Sequence, residues 1–180
     1  MLSVFIDCGP DDQALAKSLA SLVPGAVEGV VREVLLVDRG MGPEARKVAD
    51  HAGCRLIVAA TLREAVRTAK GDWLLFLEPG ARLQPGWIGA AIEHADQVVA
   101  GRAKTPAARF RRAAIDRPRL FQRLRQIRTA LAEGFLVTKS QAISLGGKSP
   151  TLEAMARGVA VTRLDAEIRP ALASRRATAG

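Results

Sequence analysis

The sequence predicts one α/β domain with a mostly parallel central sheet and helices on both faces. Strand-like and helix-like segments alternate four times within the first 80 residues, the pattern of parallel strands joined by crossover helices. The strand segments are short continuous apolar runs, such as Val34-Leu35-Leu36-Val37 and Trp73-Leu74-Leu75-Phe76-Leu77, as strands buried on both faces require. A length of 180 residues gives room for one substantial core and not for two.

Each element has a local reason. Leu2 to Asp7 reads as the first strand and Cys8-Gly9-Pro10-Asp11 as a turn. Asp11 or Asp12 caps a helix with Leu15, Leu19 and Leu22 inward, which Pro24-Gly25 is expected to end. Val30 to Asp38 is the second strand. Pro43 suits the first turn of a helix reaching His51, with Ala45, Val48, Ala49 and Ala52 inward. Cys54 to Ala59 is the third strand, and Thr61 with Glu64 forms a capping box for a helix buried through Leu62, Ala65, Val66 and Ala69. Gly71 ends that helix, and Trp73 to Leu77 is the fourth strand, closed by Glu78-Pro79-Gly80 because Pro has no N–H for a ladder and Gly permits a sharp turn.

Beyond Trp87 the pattern gives a helix over Ile88 to His94 and a strand over Gln97 to Gly101. Leu120, Leu124, Ile127 and Leu131 then recur at helical spacing. Phe135 to Val137 follows as a strand, Ser140 to Leu145 as a helix and Gly146-Gly147 as a turn. Thr151 to Arg157 is a last helix ending at Gly158, and Val159 to Leu164 an edge strand. The domain is expected over residues 1–168, with 169–180 a flexible C-terminal tail.

Right-handed crossovers bring the strand ends to one edge of such a sheet, and that edge is where open α/β sheets bind ligands. Asp7, Asp38 and Glu78 each stand at or just inside the end of a strand. Three carboxylates on one edge mark it as the candidate ligand site.

The net charge of +9 is local. Ten basic residues and one acid lie between Arg102 and Arg128, and the remainder of the chain is balanced. That concentration points to an anionic partner. Arg119, Arg123, Arg125 and Arg128 flank Leu120, Phe121, Leu124 and Ile127, which suits both a solvated helix face and a contact with anionic membrane headgroups. The lack of a recognised motif or interleaved aromatics argues against nucleic acid. Cys8 and Cys54 lack metal-ligand spacing and read as buried reduced thiols. His51 and His94 both read as surface residues. With no signal-peptide pattern and no apolar run of about 18 residues, the chain is expected to be cytoplasmic, with 102–128 available for peripheral attachment at the inner face of the membrane.

Four stretches together resemble a family 2 glycosyltransferase of the GT-A fold, a single Rossmann-like domain, nearest to its small bacterial members. Val31 to Asp38 resembles the strand whose terminal aspartate contacts the nucleobase of the sugar nucleotide. Gly71 to Leu77, with Arg82-Leu83 and Pro85-Gly86-Trp87, resembles the surroundings of the metal-binding Asp-x-Asp motif. Gly134 to Ser140, with Leu145-Gly146-Gly147, resembles the acceptor-side strand and its turn. Pro150-Thr151-Leu152-Glu153 resembles the approach to the Glu-Asp pair that supplies the catalytic base. The resemblance implies transfer of a sugar from a nucleotide-diphosphate donor, with uridine as the expected base, to an acceptor that is often lipid-linked. It makes Asp7 and Asp38 nucleotide-binding residues, Glu78 a ligand of diphosphate or of Mn²⁺ or Mg²⁺, and Glu153 the base. Two departures fall on that chemistry. Glu78-Pro79-Gly80 stands for Asp-x-Asp, with no side chain at Gly80, and Glu153-Ala154 stands for Glu-Asp. The alternative to catalysis is therefore a GT-A-like protein that binds a nucleotide, an anionic membrane or a protein partner without turnover.

Overall fold

The computed structural model describes residues 1–58, 62–116, 129–146 and 151–171. Eight strands form one sheet: β1 (Leu2–Cys8), β2 (Val31–Asp38), β3 (Arg55–Val58), β4 (Trp73–Leu77), β5 (Arg82–Leu83), β6 (Ala108–Arg112), β7 (Phe135–Thr138) and β8 (Thr162–Arg169). Their spatial order is β3-β2-β1-β4-β7-β6-β8-β5. β3, β2, β1 and β4 run parallel, whereas β7 pairs antiparallel with both β4 and β6. β4 is thus the seam between a parallel half and a mixed half.

Among the described residues six α-helices cover the two faces: α1 (Asp12–Val27), α2 (Pro43–His51), α3 (Leu62–Thr68), α4 (Trp87–Val99), α5 (Lys139–Gly146) and α6 (Leu152–Ala156). Alternation along each strand divides the core. Trp73, Leu75 and Leu77 of β4 join Leu15 and Leu22 of α1, Ala45 of α2 and Trp87 of α4 on one face. Leu74 and Phe76 join Leu62 of α3, Ala142 of α5 and Met155 of α6 on the other. All five β4 residues are buried, as the uninterrupted apolar run requires. Burying a large aliphatic or aromatic side chain is worth about 1.5–3 kcal/mol, so each residue of this strand contributes to the core.

Several expectations are corrected. Pro24-Gly25 does not end α1, which continues to Val27. Gly25 is there for space, because a Cβ would sit 2.6 Å from the Trp87 ring. The stop is Gly29 at φ +70°, with Gly29 N–H bonding Ala26 O and Val30 N–H bonding Gly25 O, a Schellman cap. Residues 97–101 do not form a strand. Gln97 to Val99 are the last turn of α4, closed by the same cap at Gly101. The Val-Val pair read as β-branched strand because the helical spacing of Ile88, Ala91, Ala95 and Val98 was cut short at His94. β5 and β6 were not foreseen. β8 lies inside the sheet between β6 and β5 rather than at an edge, and it extends through Arg169. Ala52 of the α2 terminus is exposed instead of inward. Thr61 of the expected capping box, Arg119, Arg123, Arg125 and Arg128 of the basic helix, Gly147, and residues 172–180 of the tail lie outside the described residues.

His94, expected at the surface, is only 3 % exposed. It packs edge-on to Trp73 at 5.7 Å, and its Nε2 lies 3.3 Å from Pro106 O. Burial holds its pKa below the ordinary 6.5. Cys8 and Cys54 are free thiols, pushed up to about 12 and about 11 chiefly by burial, which makes them poor nucleophiles at neutral pH.

At the N-terminal ends of the strands, Ser3 Oγ donates to Glu33 Oε1 at 2.7 Å and accepts from Gly71 N–H at 2.9 Å. A Cβ on Gly71 would lie 2.5 Å from Ser3 N and 2.7 Å from Met1 O. Those are backbone atoms that cannot rotate away. Gly71→Ala is therefore expected to cost about 1–3 kcal/mol or more, read as a lower urea midpoint. For His94, the unfolded chain takes up a proton that the folded chain resists, so stability is full above about pH 6.5 and declines below it. Urea midpoints at pH 7.5 and 5.5 should show the wild type losing more ground on acidification than His94→Phe.

Candidate functional site

The C-terminal ends of β2, β1 and β4 lie side by side, because Cys8 pairs with Asp38 and Ile6 with Leu77 in register. Asp38, Asp7 and Glu78 therefore occupy one rim of the sheet. With strands about 4.8 Å apart, Asp38 and Glu78 are separated at the backbone by roughly 10 Å. The sequence places these three correctly on one edge.

The three carboxylates differ in what holds them. Asp38 Oδ1 accepts from Gly40 N–H and Met41 N–H, each at 2.9 Å, and Oδ2 accepts from Arg46. The Met41 and Gly40 bonds, more than the Arg46 charge, hold its pKa below the usual range. Asp38 thus ties the β2–α2 loop to the strand end. Asp7 is raised by burial and partly offset by Arg39, whose Nε lies 3.3 Å from Oδ1. Glu78 is also raised, chiefly by burial, with Glu153 adding to the shift and a bond from Thr129 Oγ1 and the charge of Arg112 opposing it.

The backbone at Glu78 is fixed tightly. Ala81 N–H bonds Glu78 O at 3.1 Å and Gly80 has φ +94°. Glu78-Pro79-Gly80-Ala81 is therefore a type II turn, with Pro and Gly at the two positions that favour them. Ser18 of α1, fully buried, accepts from Gly80 N–H at 2.8 Å and reaches Glu78 O at 3.4 Å. A Cβ on Gly80 would meet Ala171 at 3.3 Å and would force a positive φ on a non-glycine residue, a strain of about 1–3 kcal/mol.

Glu153, on the first turn of α6, is brought near Glu78 through the intervening turn. Its Oε1 accepts from Ala130 N–H at 2.7 Å and its Oε2 from Leu131 N–H at 3.2 Å, and Arg157 Nη2 lies 3.2 Å from Oε1. Thr129, at the start of that turn, is the residue bonded to Glu78. Glu78 and Glu153 thus border one place through the 129–131 turn, with Asp7 and Asp38 farther along the rim.

A cavity of about 340 Å³ continues from this point, walled by β6, β8, α6 and the 129–133 turn. Arg109, Arg112, Arg157 and Arg163 face it, with Glu133 and Glu153. None of these four arginines was singled out as a site residue from the sequence. The signal was present in Ala108-Arg109-Phe110-Arg111, whose small or apolar and basic residues alternate with strand period.

The residues present do not fit a protein-built divalent metal site. Among the described residues no three His, Cys, Asp or Glu side chains converge. The position that would carry the second carboxylate is Gly80, committed to its turn. Glu78 would be the one carboxylate that the β4 exit could offer an ion. No helix among the described residues is long and apolar enough to cross a membrane.

No family model matches the chain, and no curated protein matches it. Solved structures do. Glucosyl-3-phosphoglycerate synthase from Mycobacterium tuberculosis, in complex with Mn²⁺, uridine diphosphate and glucosyl-3-phosphoglycerate, is 13 % identical with TM-score 0.52, over 79 % of this chain and 58 % of that one. Mannosyl-3-phosphoglycerate synthase from Rubrobacter xylanophilus is 12 % identical with TM-score 0.53, over 78 % of this chain and 54 % of that one. A mycobacterial protein is 17 % identical with TM-score 0.53, over 79 % of this chain and 54 % of its own. The chain spans a little over half the length of these neighbours. At such identities the likeness establishes architecture, and the architecture is the GT-A fold.

Proposed function

We propose that this domain binds a nucleotide-activated sugar along the β2–β1–β4 rim and transfers the sugar to an acceptor seated in the adjoining cavity. The observation that carries the reading is the gathering of Asp38, Asp7 and Glu78 on one rim, with a cavity opening just past Glu78. The uridine diphosphate held by the tuberculosis synthase makes a UDP-sugar the first donor to try. Asp7 and Asp38 border the nucleoside end in this arrangement, and Glu78 the diphosphate and acceptor end.

The transfer needs an acceptor hydroxyl oxygen to bond to the anomeric carbon while the bond from that carbon to the diphosphate breaks. The electron pair leaves with the nucleoside diphosphate, and the hydroxyl proton must pass to a base. Both oxygens of Glu153 are engaged by backbone N–H groups, so this residue suits positioning of the Thr129 turn. Glu78, half-buried and with its pKa raised chiefly by that burial, has a carboxylate that no backbone N–H among the described residues engages, which makes it the better candidate for the base. A second reading, binding without turnover, is favoured by the same engagement of Glu153 and by the turn at Gly80.

A thermal-shift panel of nucleotides and UDP-sugars, with and without Mn²⁺, separates the outcomes. At a hundredfold excess over Kd a ligand adds about 2.7 kcal/mol, a rise of roughly 5–10 °C at about 2–4 °C per kcal/mol for a domain of this size. Hydrolysis of the stabilising UDP-sugar supports transfer, and stabilisation without hydrolysis supports the binding reading. No shift with any nucleotide would refute both. Glu153→Ala should lower stability by about 1–3 kcal/mol by leaving two N–H groups unmade, while the nucleotide-induced shift persists. A shift abolished in a folded Glu153→Ala protein would instead place Glu153 at the ligand.

A further inference from the structure

Four arginines and two glutamates line the cavity beside Glu78. Glu133 is bonded to Arg163, and Glu153 is shared between Arg157 and the two N–H groups of the 130–131 turn. Arg109 is left without an ion pair among the described residues. Its Nη2 donates to Ala156 O at 2.7 Å, its guanidinium stacks 5.8 Å from the Phe135 ring, and its Nε is buried with no hydrogen-bond partner. A carbonyl and a ring face hold the group in place, and the carboxylates that act on it, Glu133 and Glu153, make no ion pair with it and are engaged by other partners. A partly buried cation in that condition costs free energy unless an anion completes it.

We propose that this cavity is a subsite for a phosphoryl group, with Arg109 as its main ligand and Arg157 and Arg163 at its mouth. A planar guanidinium matches two oxygens of a phosphate at once, which an ammonium does not. A volume of about 340 Å³ is at the lower end of small-molecule sites and suits a phosphate monoester or the terminal phosphate of a nucleotide. The phosphate has two sources: an acceptor carrying a monoester, or the diphosphate of the donor. Identifying either rests on the transfer reading above, whereas phosphoryl binding itself does not.

The test uses ethyl phosphate as the monoester probe, ethanol as its uncharged counterpart and UDP as the diphosphate, on the full chain by calorimetry. Ethyl phosphate is expected to bind at millimolar concentration or tighter and ethanol not to bind. Arg109→Gln should weaken ethyl phosphate at least tenfold, with Arg109→Lys recovering only part. Arg102→Gln, an exposed position away from the cavity, should leave it unchanged. If Arg109→Gln does not fold, the exposed Arg157→Gln should show a weaker loss in the same direction. Ethyl phosphate that binds alongside UDP marks an acceptor subsite, and ethyl phosphate displaced by UDP marks the donor diphosphate. Absence of ethyl phosphate binding, or equal affinity in the wild type and the folded Arg109 and Arg157 variants, overturns the proposal. UDP-sugar stabilisation without ethyl phosphate binding would remove the subsite and leave the transfer reading intact. The reverse would remove the transfer reading alone.

Discussion

β4 cannot vary in any direction but one. Helices cover both of its faces, β1 bonds it on one side and β7 on the other. A strand so enclosed has no place for a polar side chain until its C-terminal end, and there the chain must turn at once. Glu78 emerges at that point with the turn hydroxyl-bonded from beneath by Ser18. The position of this carboxylate therefore follows from packing of the strand, and mobility of a surface loop has little part in it. Everything proposed for the site inherits that rigidity, since catalytic and binding groups act well only when their supports are fixed.

Charge is distributed unequally about this fixed point. Toward β2 the rim carries Asp7 and Asp38, each paired with an arginine from the segment after β2, Arg39 and Arg46. Toward β6 it is basic. The 129–134 turn joins the two sides: Thr129 bonds Glu78, Glu153 holds the next two N–H groups, and Phe110 N–H bonds Glu133 O at 3.0 Å. Gly134 ends the turn where a Cβ would lie 3.1 Å from Phe110 and 3.3 Å from Leu77. One short connection thus carries the register of β4 across to the arginines of β6. A ligand spanning the cleft would touch residues of both halves of the sheet.

Much of the parallel half was legible because its signals are local. The continuous run of β4, the Pro at the start of α2 and the Asp11 cap of α1, whose side chain accepts from Ala14 N–H, need no tertiary knowledge. The errors came where one residue type serves two purposes. Gly25 looked like a helix stop and is a gap for Trp87, while Gly29, four residues on, does the stopping. Val98-Val99 looked like strand because β-branched residues favour it, yet they finish a helix whose buried side is set by Trp87 and His94. β6 escaped notice because three arginines in five residues read as solvated charge. Its pairing with β7 and β8 is long-range and overrides that composition. The candidate acids were found because strand ends are predictable. The arginine cavity was missed because it is assembled from β6, α6 and β8, which lie far apart in the chain.

Gly80 does more than leave the β4 exit without a second carboxylate. A type II turn needs the positive φ at that position, and Ser18 is spent on the Gly80 N–H, so an acid could return there only with strain and with displacement of Ala171. The exit of β4 is a closed turn. A phosphate bound beside it must find its counter-charge elsewhere, and within reach the described residues offer guanidinium groups. Such groups carry their charge at any physiological pH and need no ion to be recruited. The physical logic of the domain is then consistent: the enclosed strand delivers one carboxylate, the turn forecloses a second, and β6, β8 and the end of α6 supply the positive charge that an anionic ligand requires.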